Sequence, residues 1–252
     1  MNRLSTRTQR HLGCWLVFAA TLLTYIFTLE PDASLWDCPE YLVTAALLEV
    51  GHPPGNPVWT LTARMFSLFG GTDPQAIAIA VNLSSGLFTA GAAGLLTSCL
   101  FLFFRLLGKR GCTVTLASVA GGLVFGWMDS PWYSAVEAEV YAMSLFLTAL
   151  CVRLMLGWAL TRDTALKPRL LLLTVYLTGL SIGVHQLNLL VLPALGLIWV
   201  FRRFRRPGFG RILGVLAVSA ALVGGILLGF MPGVIYLAGR LELLCVNSWG
   251  PG

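Results

Sequence analysis

"LLLLTVYLTGLSIGVHQLNLLVLPALGLIWVF", Leu170 to Phe201, contains no Asp, Glu, Lys or Arg, yet it lies between Lys167 and Arg169 on one side and Arg202, Arg203, Arg205 and Arg206 on the other. A helix crosses a bilayer in about 20 apolar residues. This run is longer than one crossing needs, and one crossing would put a basic cluster on each face, against the tendency of Lys and Arg to stay cytoplasmic. Two short passes that turn near His185 meet both conditions. The stretch reads as a membrane hairpin, and it sets how the rest of the chain is threaded.

Outward from that hairpin, apolar runs recur over roughly 12–29, 74–104, 113–128, 139–160 and 212–236. Of the 252 residues 57% are hydrophobic and 11% charged, and the mean hydropathy is +0.80. Such a chain has no room for a sizeable soluble domain and reads as an all-α polytopic membrane protein. Residues 1–252 are expected to form a single transmembrane domain, with about seven spans by the charge bias at their ends. The basic start and the run Leu12–Leu29 share the outline of a secretory signal, but no small-x-small cleavage site follows. That run is also long for a signal core, so it reads as an uncleaved first span. With the N-terminus cytoplasmic, fifteen of the 17 basic residues fall on the cytoplasmic side and ten of the 11 acids outside, the exceptions being Arg64, Arg240 and Asp163. The C-terminus is then outside. The net charge of +6 records topology and is not a nucleic-acid footprint. The six cysteines have no metal-ligand or redox spacing and read as small core residues.

The first outer loop, about residues 30–73, concentrates the polar chemistry. "LWDCPEYLVTAALLEVGHPPGNP", Leu35 to Pro57, holds Asp37, Glu40, Glu49 and His52. Asp37 followed three residues later by Glu40 is a capping-box pattern, with Pro39 tolerated in the first turn and Gly51 expected to end the helix. "HPPG" forces a turn. Asn56 and Pro57 then open a second helix that Gly70 and Gly71 close, too short to cross a membrane. Both helices are expected to lie along or dip into the outer membrane surface. For an isolated D-x-x-E, a cap is the simpler reading. Against it stand Trp36, an interfacial anchor type, and His52, which the short helix and its turn return toward the acids.

Other outer segments add polar groups. "DSPWYSAVEAEVY" supplies Asp129, Glu137 and Glu139, and the hairpin supplies His185, Gln186 and Asn188. Ionisable groups at membrane depth are expensive to hold, so by default they point to a functional site. On a helix Glu137 and Glu139 diverge by roughly 200°, so at least one is expected to be solvated or structural. His185 has an equally good structural role, satisfying a carbonyl at the turn. For Arg64 the structural alternative is a surface pair with Glu49 or Asp73. Gly91 and Gly94 permit close helix packing and need no functional account.

An acidic outer cleft walled by hydrophobic helices suits a reaction in which a hydroxyl attacks a donor anchored in lipid. A carboxylate takes the proton from the attacking hydroxyl and an arginine neutralises the departing phosphate. Asp37 is the expected base, and Arg64 and Arg240 are the outer-face candidates for the phosphate. No G-x-x-x-x-G-K-[ST] loop occurs, so no nucleotide site is indicated.

The first-loop pattern Trp36-Asp37-x-x-Glu40 followed by His52-Pro53-Pro54-Gly55 and Pro57 resembles a membrane family long labelled a domain of unknown function. That family is grouped with the protein O-mannosyltransferases as glycosyltransferase family 117. The likeness continues at Trp132, Ala135, Glu139, Val140 and Tyr141, at Gly183, His185 and Pro193, and at "NSWGPG". It implies a GT-C-type helical bundle with two short interfacial helices in the first extracytoplasmic loop. It also implies transfer of a sugar, plausibly mannose, from a polyprenyl-phosphate donor to Ser or Thr of an exported protein, with inversion. Asp37 and Glu40 occupy the family's acidic motif, and His52, Glu139 and His185 fall on its other motif positions, with Arg64 and Arg240 kept as substrate-binding candidates by their outer-face charge. The match does not decide which acid is the base. It fixes no cofactor and leaves open a divalent cation held by the acids. The active site would face the extracytoplasmic side, of a bacterial inner membrane rather than the endoplasmic reticulum. Family members run much longer, so the chain compares with the N-terminal part of that architecture, as a fragment or a short paralogue. Two other readings compete: a transporter or flippase for a lipid-linked solute, which expects polar groups through to the inner side, and a non-catalytic assembly subunit.

Overall fold

Apolar segments in lipid satisfy their backbone only within themselves, so runs of this composition become helices. In the computed structural model, which describes residues 6–250, helices and no strand are found among the described residues. In chain order they are α1 (Thr6–Phe27), α2 (Cys38–Leu47), α3 (Pro57–Ser67), α4 (Pro74–Leu106), α5 (Cys112–Gly126), α6 (Asp129–Val136), α7 (Val140–Leu160), α8 (Leu166–Ile182), α9 (Leu192–Arg203), α10 (Phe209–Gly224) and α11 (Met231–Leu244). The chain divides into two compact units between Val191 and Leu192.

In the first unit α4 is the central post. Asp73 caps it by accepting the Ala76 amide at 3.0 Å, and Pro74 sits in its first turn. Its buried face is made of small residues, among them Ser85, Ala90, Ala93, Gly94 and Thr97. A Cβ on Gly94 would stand 3.2 Å from the Cys14 carbonyl of α1, which is the close packing expected of that glycine stretch. Tyr25 of α1 donates to the Gly126 carbonyl at 2.6 Å, and Asn82 of α4 donates to the carbonyls of Glu30 and Asp32, which pins the start of the first loop. The two loop helices are seated on the bundle. Tyr41, Leu42 and Ala45 of α2 and Trp59 and Ala63 of α3 share one buried cluster with Ala78 and Val81 of α4, Val140 and Met143 of α7, and Val184.

In the second unit α10, α11 and two π turns, Gly225–Phe230 and Cys245–Trp249, make a 41-residue apolar helical stretch from Phe209 to Trp249. The first π turn comes just ahead of Pro232, which has no N–H for the helical ladder.

The sequence boundaries hold closely at α4 and α7, and in the first loop at α3 and the start of α2, whereas α1 begins at Thr6, ahead of the expected Leu12. The expected count of seven spans is not confirmed. Four helices among the described residues are long and apolar enough to cross, or five if α5 and α6, bent by 59°, count as one broken span. The two short passes expected over 170–201 correspond to α8 and α9, of 17 and 12 residues, both below the length of a full crossing. These apolar helices make the chain an integral membrane protein.

Candidate functional site

The head of α2 begins with an unusual backbone. Trp36 has φ of +62°, a left-handed conformation rare for a bulky residue, and is 85% exposed. It swings the chain so that Asp37 precedes the helix with its carbonyl accepting the Tyr41 amide at 3.0 Å. The side chain of Asp37 makes no cap bond, and the residue is exposed. The capping box therefore does not form.

Glu40 has a different partner. One of its oxygens accepts the His52 amide at 2.5 Å, and its two oxygens stand 3.2 and 3.1 Å from His52 Nδ1. These bonds, the amide first and then the ring, hold the Glu40 carboxyl below the usual carboxylate range. The turn that carries His52 is closed by the Gly55 amide on the His52 carbonyl at 3.0 Å. Gly51 does not end α2, contrary to expectation: the helix stops at Leu48, itself left-handed at φ +56°. What Gly51 provides is room, because a Cβ there would lie 3.0 Å from Glu40 Oε1.

Aromatic rings connect this loop to the bundle. Tyr41 packs against His52 on one side and Trp59 on the other, with ring centroids 5.8 and 4.9 Å apart. The Trp59 indole donates to the Glu139 carbonyl at 3.2 Å, and the Ser85 hydroxyl accepts the Glu139 amide at 3.3 Å. Held this way, the Glu139 side chain is only 8% exposed, and its Oε2 has no hydrogen-bond partner. Burial, then the nearby Glu137 and Asp37 carboxylates, push its carboxyl up to about 7. The Tyr41 phenol is pushed up as well, by burial first and then by Glu139, Asp37, Tyr141 and Glu40.

Glu137 takes the structural part. It is buried, accepts the Ser34 hydroxyl, and is raised chiefly by burial. Both glutamates sit on extended backbone between α6 and α7 (φ −134° and −143°), so the helical divergence expected of them does not apply, and neither is solvated.

His185 is brought to the same region by the end of α8. The Gly183 carbonyl accepts the Val58 amide at 2.8 Å, and a Cβ on Gly183 would stand 2.6 Å from Val58 Cγ2. Only glycine allows α3 and the end of α8 to meet this closely. His185 Nδ1 accepts the Leu187 amide at 3.3 Å, which leaves Nε2–H as the outward donor. Its ring lies 5.1 Å from that of Tyr141, and burial lowers its affinity for a second proton. Asn188 fixes this turn by donating to the Ser181 carbonyl and accepting from Ser144 and Thr148 of α7. Tyr141 also lines an open groove of about 640 Å³ between α6 and α7, beside Asp129, Ser130, Tyr133, Ser134 and Ser144.

The structure thus gathers Asp37, Glu40, His52, Glu139 and His185 around Tyr41 and Tyr141. Arg64 is not among them. It donates to the Ala46 carbonyl at the far end of α2 and to Ser67 Oγ at 3.4 Å, stitching α2 to α3. The ten residues of α2 put that end about 15 Å from Asp37. Arg240 belongs to the second unit, where it is exposed, donates to Tyr236 Oη at 2.9 Å and lies over the Tyr236 ring. No three of His, Cys, Asp or Glu among the described residues converge in a way that would hold a metal ion. Tyr41 and Trp59 belong to no chemical motif in the sequence. Their one signal is that aromatics flank the acid and histidine positions on both short helices.

The family described as the Protein O-mannosyl-transferase TMEM260 N-terminal domain matches residues 37–208, a span that begins at Asp37 and ends beyond His185. The mouse Protein O-mannosyl-transferase TMEM260 is 27% identical over 217 residues, which cover 85% of this chain and 29% of the mouse protein. The chain therefore spans under a third of that relative's length. No solved structure matches it. With most of its residues inside the matched span, the chain belongs to the TMEM260 N-terminal domain family.

Proposed function

We propose that this chain carries the donor-side catalytic loop of a GT-C-type membrane glycosyltransferase. It moves a sugar, mannose by likeness to the mouse relative, from a polyprenyl-phosphate donor to a Ser or Thr hydroxyl of an exported protein. The reaction face is extracytoplasmic. Asp37 is the general base. It takes the proton of the acceptor hydroxyl as that oxygen bonds to the sugar's C1, while the bond from C1 to the phosphate oxygen breaks and polyprenyl phosphate leaves, with inversion at C1. The observation that carries this reading is the contrast at the head of α2: Asp37 has no cap bond, while Glu40 is occupied by His52.

The other groups fit the donor. The Tyr141 hydroxyl is a hydrogen-bond donor on the groove between α6 and α7, and His185, whose Nε2–H is a donor, packs on the Tyr141 ring. Glu139, protonated through part of the neutral range, adds a third donor beside Asp37 for a sugar hydroxyl or a phosphate oxygen. Arg64 is engaged with α2 and is not given the phosphate.

The test is transfer of radiolabelled mannose from polyprenyl-phosphate-mannose in membranes carrying this chain, with Asp37→Asn and Glu40→Gln alongside. Asp37→Asn should abolish transfer while insertion and melting temperature stay unchanged. Retained transfer in that variant removes Asp37 from the role, and absence of both transfer and donor binding in the parent overturns the reading.

A further inference from the structure

The opposite end of the first unit carries a cavity that the proposed reaction does not use. It lies where the start of α1, the end of α4 and the turn into α5 meet, and it has a volume of about 360 Å³, within the range of small-ligand sites. Arg7, Arg10, Arg105, Lys109 and Arg110 line it, with no acid among the lining residues. Arg105 and Arg110 also line an adjoining recess of about 530 Å³ together with Leu160 and Arg162. The guanidiniums of Arg7, Arg105 and Arg153 are all close enough to Arg10 to act on it electrostatically. Arg153 reaches in from α7 and donates to Ser98 Oγ at 2.7 Å. None of these cations takes part in an ion pair found among the described residues, where Glu40 pairs with His52. The 22 residues of α1 separate this end from the Asp37 loop by about 33 Å.

A bias of basic residues toward one membrane face explains their number but not their convergence. Cations spread along loops lower their mutual repulsion; here three helix ends direct them into one hollow, and the hollow's other wall is apolar, with Phe101, Leu102 and Val114. Like charges drawn together without acids are stabilised by an anion that accepts several N–H bonds at once, and phosphate oxygens match the guanidinium fork. Basic recesses between membrane helices at the cytoplasmic surface suit lipid head groups of this kind. We propose that this cavity binds a phosphate-bearing anion, its oxygens on Arg10, Arg105 and Arg110.

Two sources of such a group are separated by experiment. The purified chain is reconstituted in vesicles of phosphatidylglycerol and phosphatidylcholine in equal amounts, and retained lipid is counted by native mass spectrometry. Inorganic pyrophosphate binding is measured in parallel by calorimetry. Arg105→Gln/Arg110→Gln is compared with Arg205→Gln/Arg206→Gln, which removes the same charge from the second unit. At least a tenfold loss of retained phosphatidylglycerol in the first pair alone establishes a lipid head-group site, and the same pattern for pyrophosphate without lipid enrichment establishes a soluble phosphate ligand. Equal losses in both pairs, or no phosphate-bearing ligand retained by the parent, overturn the proposal. If the first pair lowers the melting temperature, Arg110→Gln alone, at an exposed side chain, decides by the same readings.

Discussion

The head of α2 and the linker between α6 and α7 each bring two acids to the same end of the bundle, and the fold surrounds them in opposite ways. Asp37 and Glu40 stand at the solvent edge, where the His52 amide and ring favour the charged form of Glu40. Glu137 and Glu139 are packed under Trp59, Ser34 and Ser85, where burial favours the neutral form. The comparison teaches what the acid motif alone does not: at one end of the bundle the bonds from His52 lower Glu40, while burial raises Glu137 and Glu139, the latter to about 7. In the proposed function, that contrast supplies both a proton acceptor and a proton donor near neutral pH. Asp73 sharpens the point. It is also an aspartate at a helix start, yet its side chain does cap α4, whereas Asp37, at the head of α2, does not.

The largest expected effect tests the acceptor half. Asp37→Asn should lower sugar transfer by about 10²–10⁴-fold, the usual range for removing a general base, with no change in melting temperature because no cap bond is lost. A fall in stability comparable to the loss of a cap, about 1 kcal/mol, would return Asp37 to a structural role. Next comes the donor half. Between about pH 4.5 and 7 the folded chain keeps a proton on Glu139 that the unfolded chain has released. Stability should therefore fall as pH rises through that window and level off above it, by roughly 2–3 kcal/mol. Glu139→Gln should flatten that slope in melting curves taken from pH 5 to 8. Glu40 contributes with the opposite sign: its stabilising bonds to His52 are present above its ordinary range and are lost as pH falls below it. A slope left unchanged by Glu139→Gln would break the comparison, since Glu137 alone accounts only for a residual one of the same sign.

Much of this end was legible in the sequence because the devices are local. Pro57, Pro74 and the "HPPG" turn punctuate α2, α3 and α4 within a few residues of their observed bounds. The proximity of His52 to Glu40 follows from a short helix and a tight return. What was not legible depends on chain segments far apart. The burial of Glu139 needs Trp59 and Ser85, from α3 and α4, and helical spacing misplaced it because the linker is extended. Sign and side of the membrane mark Arg64 for the phosphate, whereas in the fold its guanidinium donates to the open Ala46 carbonyl at the end of α2. The count of seven is left unconfirmed for a similar reason: composition marks α8 and α9 as membrane-suited, and each is shorter than a full crossing.

The joint between α3 and α8 supplies a smaller, structural test. Gly183→Ala places a methyl 2.6 Å from Val58 Cγ2, so the end of α8 must back away and carry His185 from Tyr141. A stability loss of about 1–3 kcal/mol is expected for such overpacking. Transfer at saturating acceptor should drop less than in Asp37→Asn, while the concentration of donor needed for half-maximal rate should rise. Unchanged donor dependence would separate His185 from donor binding.

The smallest effect concerns the cation missing from both halves of the comparison. If the stitch between α2 and α3 is the whole role of Arg64, Arg64→Gln loses the bond to the Ala46 carbonyl and destabilises by about 1 kcal/mol, read as a lower melting temperature in detergent, with the transfer rate per folded molecule unchanged. Arg64→Lys, which keeps the charge but not the planar fork, should recover only part of that stability. A variant with unaltered melting and a transfer rate reduced tenfold or more would place the guanidinium against the donor phosphate during turnover. The loop would then have to move, since the ten residues of α2 now hold Arg64 at the far end from Asp37.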